Sequence, residues 1–374
     1  MITSEDLMST TERSSNTPVS IAVVCLILAA TVTLGCNSSR SPTQHITITG
    51  AGSTFVNPAM TQWISGFQSN HPGVQITYQA IGSGSGIELL KQGLVDFAAS
   101  DAALDDEKLK SMPALVQIPE SGGPVCIVYN LPGLESRLRL SGSTLAAIYL
   151  GQIKWWQDPA IQMDNQGIRV PNHAIVVFYR SDGSGTTNIF TTYLAKVSPD
   201  WSTNVGHGIS VNWPVGTGVR GSEAVANAIR QTAGSIGYVE LAYATAHKLP
   251  VAEIQNQAGA WVEPTALGAT AAIDAFQWEL AKDVRNPVVD APATAREAYP
   301  ISGLTYLLVP RQARDEARQQ IVKAFIEYIV TEGQASSQGL EYATLPLSLA
   351  GEDQKLLAEI SEGGPPPDSN PPGR

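Results

Sequence analysis

Three times along this chain a β-branched, apolar run stops at a turn of Gly, Ser and Thr, and a helix-period apolar pattern begins straight after it. The turns are Gly52-Ser53-Thr54-Phe55, Gly82-Ser83-Gly84-Ser85-Gly86 and Gly183-Ser184-Gly185-Thr186. The first follows Ile46-Thr47-Ile48-Thr49 and leads to Met60, Trp63, Ile64 and Phe67, with Pro58 in the first helical turn. The second follows Val74-Gln75-Ile76-Thr77-Tyr78 and leads to Ile87-Glu88-Leu89-Leu90. The third follows Ile175–Tyr179 and Arg180, and leads to a helix over Asn188–Lys196 with Ile189, Phe190, Tyr193 and Leu194. Strand, turn and helix in this repeated order predict an α/β fold with mostly parallel sheets.

The remaining segments keep that rhythm. Phe97-Ala98-Ala99-Ser100-Asp101 reads as a buried strand ending on a carboxylate. Helices are expected over Thr144–Leu150 and Ser222–Arg230, and strands over Ile236–Val239 and Leu304–Val309. Ile321, Val322, Phe325, Ile326, Ile329 and Val330 mark the helix with the clearest i, i+4 spacing. The chain has 374 residues, enough for two ordinary domains, and the part after Pro124 behaves as a second body.

A helix start offers orphan N–H groups and the positive end of its dipole, so it holds an anion without needing a cation. Glycine admits a close backbone approach, and Ser or Thr adds a hydroxyl donor beside the N–H. Any one of the three turns is equally an ordinary capped helix. Three of them, with Arg180 leading into the third, point to one shared oxyanion site. The net charge of −11 argues against nucleic acid or an anionic membrane face as partner. It also rules out a broad basic funnel, so the anion must be held locally.

Asp101 stands where ligands bind in open α/β sheets, at the C-terminal end of a strand. Its plainer reading is a cap for a helix from Leu104 onward. Hydrogen phosphate and dihydrogen phosphate carry a P–OH that an ionised aspartate can accept, whereas sulfate near neutral pH carries none. A site built that way rejects the near-isostere by roughly 10⁴–10⁵-fold. Arsenate keeps its proton, so it stays open as a ligand.

Two rival readings are weaker. Gly216-Thr217-Gly218-Val219-Arg220-Gly221 fits a dinucleotide fingerprint, but Trp213-Pro214 precedes it where a buried strand is required, so it reads as a loop. An exported phosphatase would need metal ligands or a nucleophile with a base. The five histidines, at positions 45, 71, 173, 207 and 247, form neither an i, i+4 pair nor a cluster with carboxylates, and no turn carries Gly-x-Ser-x-Gly. The expectation is a binding protein, not an enzyme, with no cofactor and no metal.

The ends carry different information. Val19–Leu34 is a nearly uncharged apolar run, too short for a comfortable membrane span, and it finishes in Leu34-Gly35-Cys36. Residues 1–36 therefore read as a lipoprotein-type signal in which Cys36 is lipidated, followed by a polar tether over 37–45. Removing residues 1–35 takes away one base and three acids, which leaves −9. Cys126 is then alone in the mature part and reads as a buried small hydrophobe. Residues 362–374, rich in Pro and Gly, are expected to form a disordered tail.

Ile48-Thr49-Gly50-Ala51-Gly52-Ser53-Thr54-Phe55, Ile81–Gly86, Asp96–Ala102 and Arg180–Thr186 together resemble the periplasmic phosphate-binding proteins of phosphate ABC importers. The likeness continues in Ile148–Trp156, Ile236–Glu240 and Tyr342–Pro346, outside the expected site, and covers about 46–350 in unbroken order. Carried over residue by residue, it implies that Thr54 gives its hydroxyl and N–H with Ser53 and the Phe55 N–H beside it. Ser83 gives the same pair of donors, and Asp101 accepts the phosphate proton. Arg180 supplies the positive charge with Asp182 fixing its fork, and Ser184, Gly185 and Thr186 close the third side.

The same resemblance implies two α/β lobes with crossing hinge strands and a ligand cleft between them. Lobe I would take 46–122 with 301–361, and lobe II would take 123–300. The expected partners are phosphate and membrane permease subunits. The chain would be exported, monomeric and held at the outer face of the cytoplasmic membrane or in a periplasm. An exported phosphate or arsenate sensor without a permease is the alternative.

Overall fold

Ile46–Gly52 forms the first strand (β1), and its last residues, Gly50, Ala51 and Gly52, are buried, as expected where helices cover both faces of a sheet. The computed structural model describes residues 45–360 apart from positions 113, 313 and 314. Val74–Ala80 (β2) and Phe97–Ser100 (β3) lie parallel on either side of β1, with Gly52 opposite both Ala80 and Ala99. The chain leaves all three strands at the same edge of the sheet. That edge carries Ser53, Ser83 and Asp101.

The central strand is Leu115–Asn130 (β4). A two-residue strand, Arg139–Leu140 (β5), precedes Val176–Arg180 (β6), Thr217–Val219 (β7) and Ser235–Glu240 (β8). Glu253–Gln255 (β9), Trp261–Val262 (β10) and Ser302–Pro310 (β11) complete the described strands. One eight-stranded sheet runs β2-β1-β3-β11-β4-β8-β6-β7, and β10-β9-β5 make a small second sheet. β6 is parallel to β7 and β8, with Arg180 opposite Val219. Arg180, Ser222 and Glu240 therefore emerge as neighbours, as Ser53, Ser83 and Asp101 do.

Two features depart from the sequence reading. The centre of the sheet is antiparallel, because β4 pairs antiparallel with β11 and with β8. And β4 runs straight through Pro119, Gly122, Gly123 and Pro124, residues that ordinarily break strands. It changes partner there: Leu115–Pro124 face β11, and Val125–Asn130 face β8. A register shift opposite Thr305 and Tyr306 passes over Glu120, the extra residue of a bulge beside Pro119. The boundary expected at 122/123 falls inside this one strand.

Aromatic packing fixes both ends of the sheet. Phe67 and Phe97 meet Phe325 with ring centroids 5.2 and 5.9 Å apart. Phe325 belongs to the helix Glu316–Val330, whose buried face is Gln319, Val322, Phe325, Ile326 and Ile329. At the other end Phe190 stacks on Tyr238 at 4.6 Å and on Trp213 at 6.4 Å. Such pairs add about 0.5–1.5 kcal/mol each beyond the area they bury. Cys126 is free and buried. Among the described residues no helix is long and apolar enough to cross a membrane. Cys36, the apolar run before it, and the 362–374 tail lie outside the described residues.

Candidate functional site

Strand ends and helix starts deliver the polar residues. Ser83 opens the helix Ser83–Lys91, and Ser184 caps the helix Gly185–Val197, its Oγ accepting the Thr187 N–H at 3.2 Å. Asp101 follows β3, and Arg180 is the last residue of β6. The helix after Asp101 spans Asp106–Lys110 and is capped by Asp105, so Asp101 is spared that duty. Asp101 and Arg180 are each 3% exposed.

The first turn and the arginine loop touch, although 126 residues separate them. Arg180 Nη1 donates to Thr54 Oγ1 at 3.0 Å and to Ser222 Oγ at 2.9 Å. The other edge of the guanidinium is forked on Asp182: Nε reaches Oδ1 at 2.8 Å and Nη2 reaches Oδ2 at 2.5 Å. The Gly221 N–H donates to the same Oδ1 at 3.0 Å. Planar bidentate pairing of this kind fixes direction as well as charge. Burial alone would lower the Arg180 pKa, but the hydrogen bonds it donates to Asp182 hold it above its ordinary value. Burial opposes the charge on Asp182 too, and Arg180 outweighs it, leaving the carboxyl below the usual range.

The second and third turns meet around Ser83. Its Oγ accepts the Gly185 N–H at 3.1 Å and the Asp101 N–H at 3.4 Å, which leaves its own proton to donate. The Gly84 N–H donates to Gly183 O at 2.9 Å. Ser53 Oγ donates to Asp101 Oδ1 and accepts the Phe55 N–H at 2.9 Å. The Phe55 and Gly185 N–H groups thus go to serine hydroxyls, and the Phe55 ring packs on Tyr342 at 6.0 Å. Asp101 is pushed up to about 7, first by burial, then against its Ser53 bond by the nearby charge of Glu240.

Every residue expected to hold the anion lies in or beside this one buried cluster, and two others join it. Ser222 starts the helix Ser222–Gln231, and its Oγ donates to Glu240 Oε1 at 3.0 Å. Thr186 Oγ1 donates to the same Oε1 at 2.5 Å. Glu240 therefore stands inside the cluster, not outside it, and Tyr342 OH donates to Phe55 O at 2.6 Å on its border. The missed signal was Gly221-Ser222, a fourth glycine–serine helix start. The segment before it is not the expected loop, since Thr217–Val219 pairs with β6. A three-residue strand is too short to show an alternating pattern.

Comparison with known proteins agrees with this architecture. A model of the PBP superfamily domain matches residues 37–332. The phosphate-binding protein PstS of Xylella fastidiosa is 40% identical over 347 residues, 87% of this chain and 94% of that one. Its counterpart in Pasteurella multocida is 40% identical over 318 residues, 85% and 90% of the two chains. The solved phosphate-binding protein of Stenotrophomonas maltophilia superposes with a TM-score of 0.61 at 18% identity, over 83% of this chain and 93% of that one. At such low identity the superposition speaks to the fold. By the length of the match and the identity of its relatives, this chain belongs to the PBP superfamily and, within it, to the family of phosphate-binding proteins PstS.

Proposed function

We propose that the chain binds inorganic phosphate outside the cytoplasmic membrane and delivers it to an ABC-type permease, without catalysing a reaction. One observation carries this reading. A forked arginine, a proton-accepting carboxylate and the starts of helices from distant parts of the sequence converge in one buried cluster. Arg180 supplies the charge, and Thr54, Ser83, Ser184 and the start of the third helix supply donors. Ser53 and Phe55 brace Asp101, which accepts the P–OH. Family membership supports the ligand, since the relatives compared above are named for phosphate.

Phosphate held between residues 46–122 with 301–361 and residues 123–300 would favour a closed state about β4 and β11, and the permease would recognise that state. Export and attachment through Cys36 complete the proposal. The test is calorimetric titration of the full chain, unfolded and refolded to strip carried-over ligand, with phosphate and then sulfate near pH 7. Tight 1:1 phosphate binding with no sulfate heat is expected. Equal binding of the two anions would remove the proton-reading role of Asp101, and silence with both would reduce the turns to capped helices.

A further inference from the structure

We propose that Glu120 is a positioning residue for Asp101: as a neutral carboxylic acid it donates to Thr305, and so turns the Thr305 hydroxyl toward Asp101. This rests on the phosphate reading above. The register of the sheet brings the three residues into one row. Tyr306 pairs with Ser100 on one side and Pro119 on the other; one step on, Thr305 pairs with Ser121 and comes beside Asp101. Glu120 is the extra residue of the bulge, and a bulge re-aims a side chain that strict alternation would send elsewhere. Its Oε1 lies 3.1 Å from Thr305 Oγ1, and Gln334 Nε2 holds its main-chain carbonyl at 2.8 Å. Glu120 and Thr305 are both fully buried.

A hydroxyl has one proton to give. Thr305 stands between two carboxyls, since it hydrogen-bonds Asp101 as well as Glu120. It therefore gives to one and takes from the other. Burial opposes a charge on either group. A charge on Glu120 would leave Oε2 without a partner, and the charge acting on it, that of Asp101, has the same sign. A charge on Asp101 meets Glu240, but the Ser53 hydroxyl on Oδ1 and the field of Arg180 offset it. An uncompensated buried charge costs far more than a neutral acid with one idle oxygen. The proton therefore stays on Glu120, and Asp101 is the first of the two to ionise. Burial pushes Asp101 up to about 7 and Glu120 to about 8, the same order. Thr305 then joins Ser53 as a second donor to Asp101, and the remaining lone pairs of that carboxylate are left for the P–OH.

The device should fail on the alkaline side. An ionised Glu120 takes the Thr305 proton, because a charged acceptor wins over a shared one. Asp101 then loses a donor and gains a like charge, while phosphate itself stays a dianion. The titratable groups around this part of β4 are Asp101, Tyr78 on β2, Tyr306 on β11 and Tyr342, with Cys126 farther along β4. Asp274 lies on the helix Ala266–Ala275 and Asp353 on the helix Leu347–Ala358, both packed on β4. Burial pushes the tyrosines and Cys126 up, so they stay neutral, and Asp274 is exposed. Burial pushes Asp353 up to about 8, but it is common to the wild type and to every variant of the test.

The experiment uses the full chain carrying isotope-labelled glutamate, which separates Glu120 from Asp101 and Asp353 in the infrared. At pH 7 the wild type should show the carbonyl band of a protonated glutamic acid, absent from Glu120→Gln. Calorimetric titration with phosphate from pH 7.5 to 9.5 should show wild-type affinity falling about three- to tenfold. Glu120→Gln cannot ionise, so it should remove that fall. Thr305→Val should weaken binding about three- to tenfold at pH 7.5 and shrink the fall, and Thr305→Ser should restore both.

A wild type without the protonated glutamic acid band, or a band that persists in Glu120→Gln, would overturn the proposal. So would an alkaline fall of undiminished size in Thr305→Val, which would be the Glu120 charge acting through space. If Glu120→Gln does not fold, the Val and Ser variants of Thr305 decide the matter on their own. A wild type that shows the band but ignores phosphate would defeat the phosphate reading instead.

Discussion

At Gly82 the backbone stands at φ 94° and ψ 148°; at Gly221 it stands at φ 82° and ψ 154°. Each glycine caps a helix whose first residue is a buried serine, Ser83 or Ser222. The two turns are alike in sequence and backbone, yet their serines do different work. Ser83 Oγ accepts two N–H groups and keeps its proton, whereas Ser222 Oγ accepts from Arg180 and gives its proton to Glu240. A hydroxyl becomes a donor or an acceptor through what faces it across the sheet edge. Ser83 belongs to the Asp101 side of the site and Ser222 to the Arg180 side.

The largest expected effect tests the Asp101 side. Asp101→Asn can donate to a fully ionised anion, so it should remove most of a sulfate discrimination on the order of 10⁴-fold while changing phosphate affinity less. Competition titrations with the two anions measure it. On the other side, Arg180→Ala should cost about 2–5 kcal/mol of phosphate affinity, because it removes the positive charge that faces the anion and leaves the Asp182 carboxylate uncompensated beside it. A loss below tenfold by calorimetry would mean that Arg180 only braces the fold.

The two sides should also answer pH in opposite directions. Asp101 titrates near 7 when folded and near 3.8 otherwise, so the native state holds its proton more tightly. Its stabilising effect is complete below about pH 4 and fades as pH rises through 7, by at most about 1.4 kcal/mol per pH unit. Asp182 is held below the ordinary carboxylate range, so its contribution is present at neutral pH and disappears on acidification. Urea unfolding at pH 5 and pH 8 should show a slope that Asp101→Asn flattens.

Smaller effects separate the turns themselves. At either glycine an alanine bears about 1–3 kcal/mol, because positive φ with ψ near 150° is a backbone that essentially only glycine adopts. At Gly82 its Cβ would also stand 2.4 Å from Asp182 Oδ2, whereas at Gly221 nothing lies within 4 Å. Gly82→Ala should therefore lower both stability and phosphate affinity, and Gly221→Ala stability alone. Equal losses in the two would make the turns interchangeable. Ser83→Ala strands the Gly185 and Asp101 N–H groups, at about 1–3 kcal/mol. Ser222→Ala should cost only about 1 kcal/mol, since Arg180 keeps Thr54 and Glu240 keeps Thr186.

Much of the site was legible because its signals are local. Gly/Ser/Thr turns between a strand and a helix announce themselves within six residues, and Asp101 closes a run of four buried residues. Ser222 and Glu240 were not legible as site residues, because each acts through a contact made in the fold. Ser222 meets Thr54 across 168 residues of sequence, and Glu240 meets Thr186 across 54. The long β4 was hidden for the opposite reason. Its two prolines and paired glycines are strong local punctuation, and pairing on both sides overrides it. The mostly parallel expectation holds for four of the seven pairings of the large sheet and gives way at the same place, since an exchange between sheet halves through one strand leaves no periodic trace.

That shared strand has a consequence for when the chain can fold. Thr305 pairs with Ser121, and Pro310 with Leu115, so the partner of β4 is synthesised nearly two hundred residues after it. Non-local pairing of this kind makes folding slow, because a long loop must close before the contact forms. The half of the sheet that carries Asp101 stays incomplete until β11 has left the ribosome. A nascent chain built this way joins β3 to β4 only late in its synthesis, when β11 arrives to pair with both.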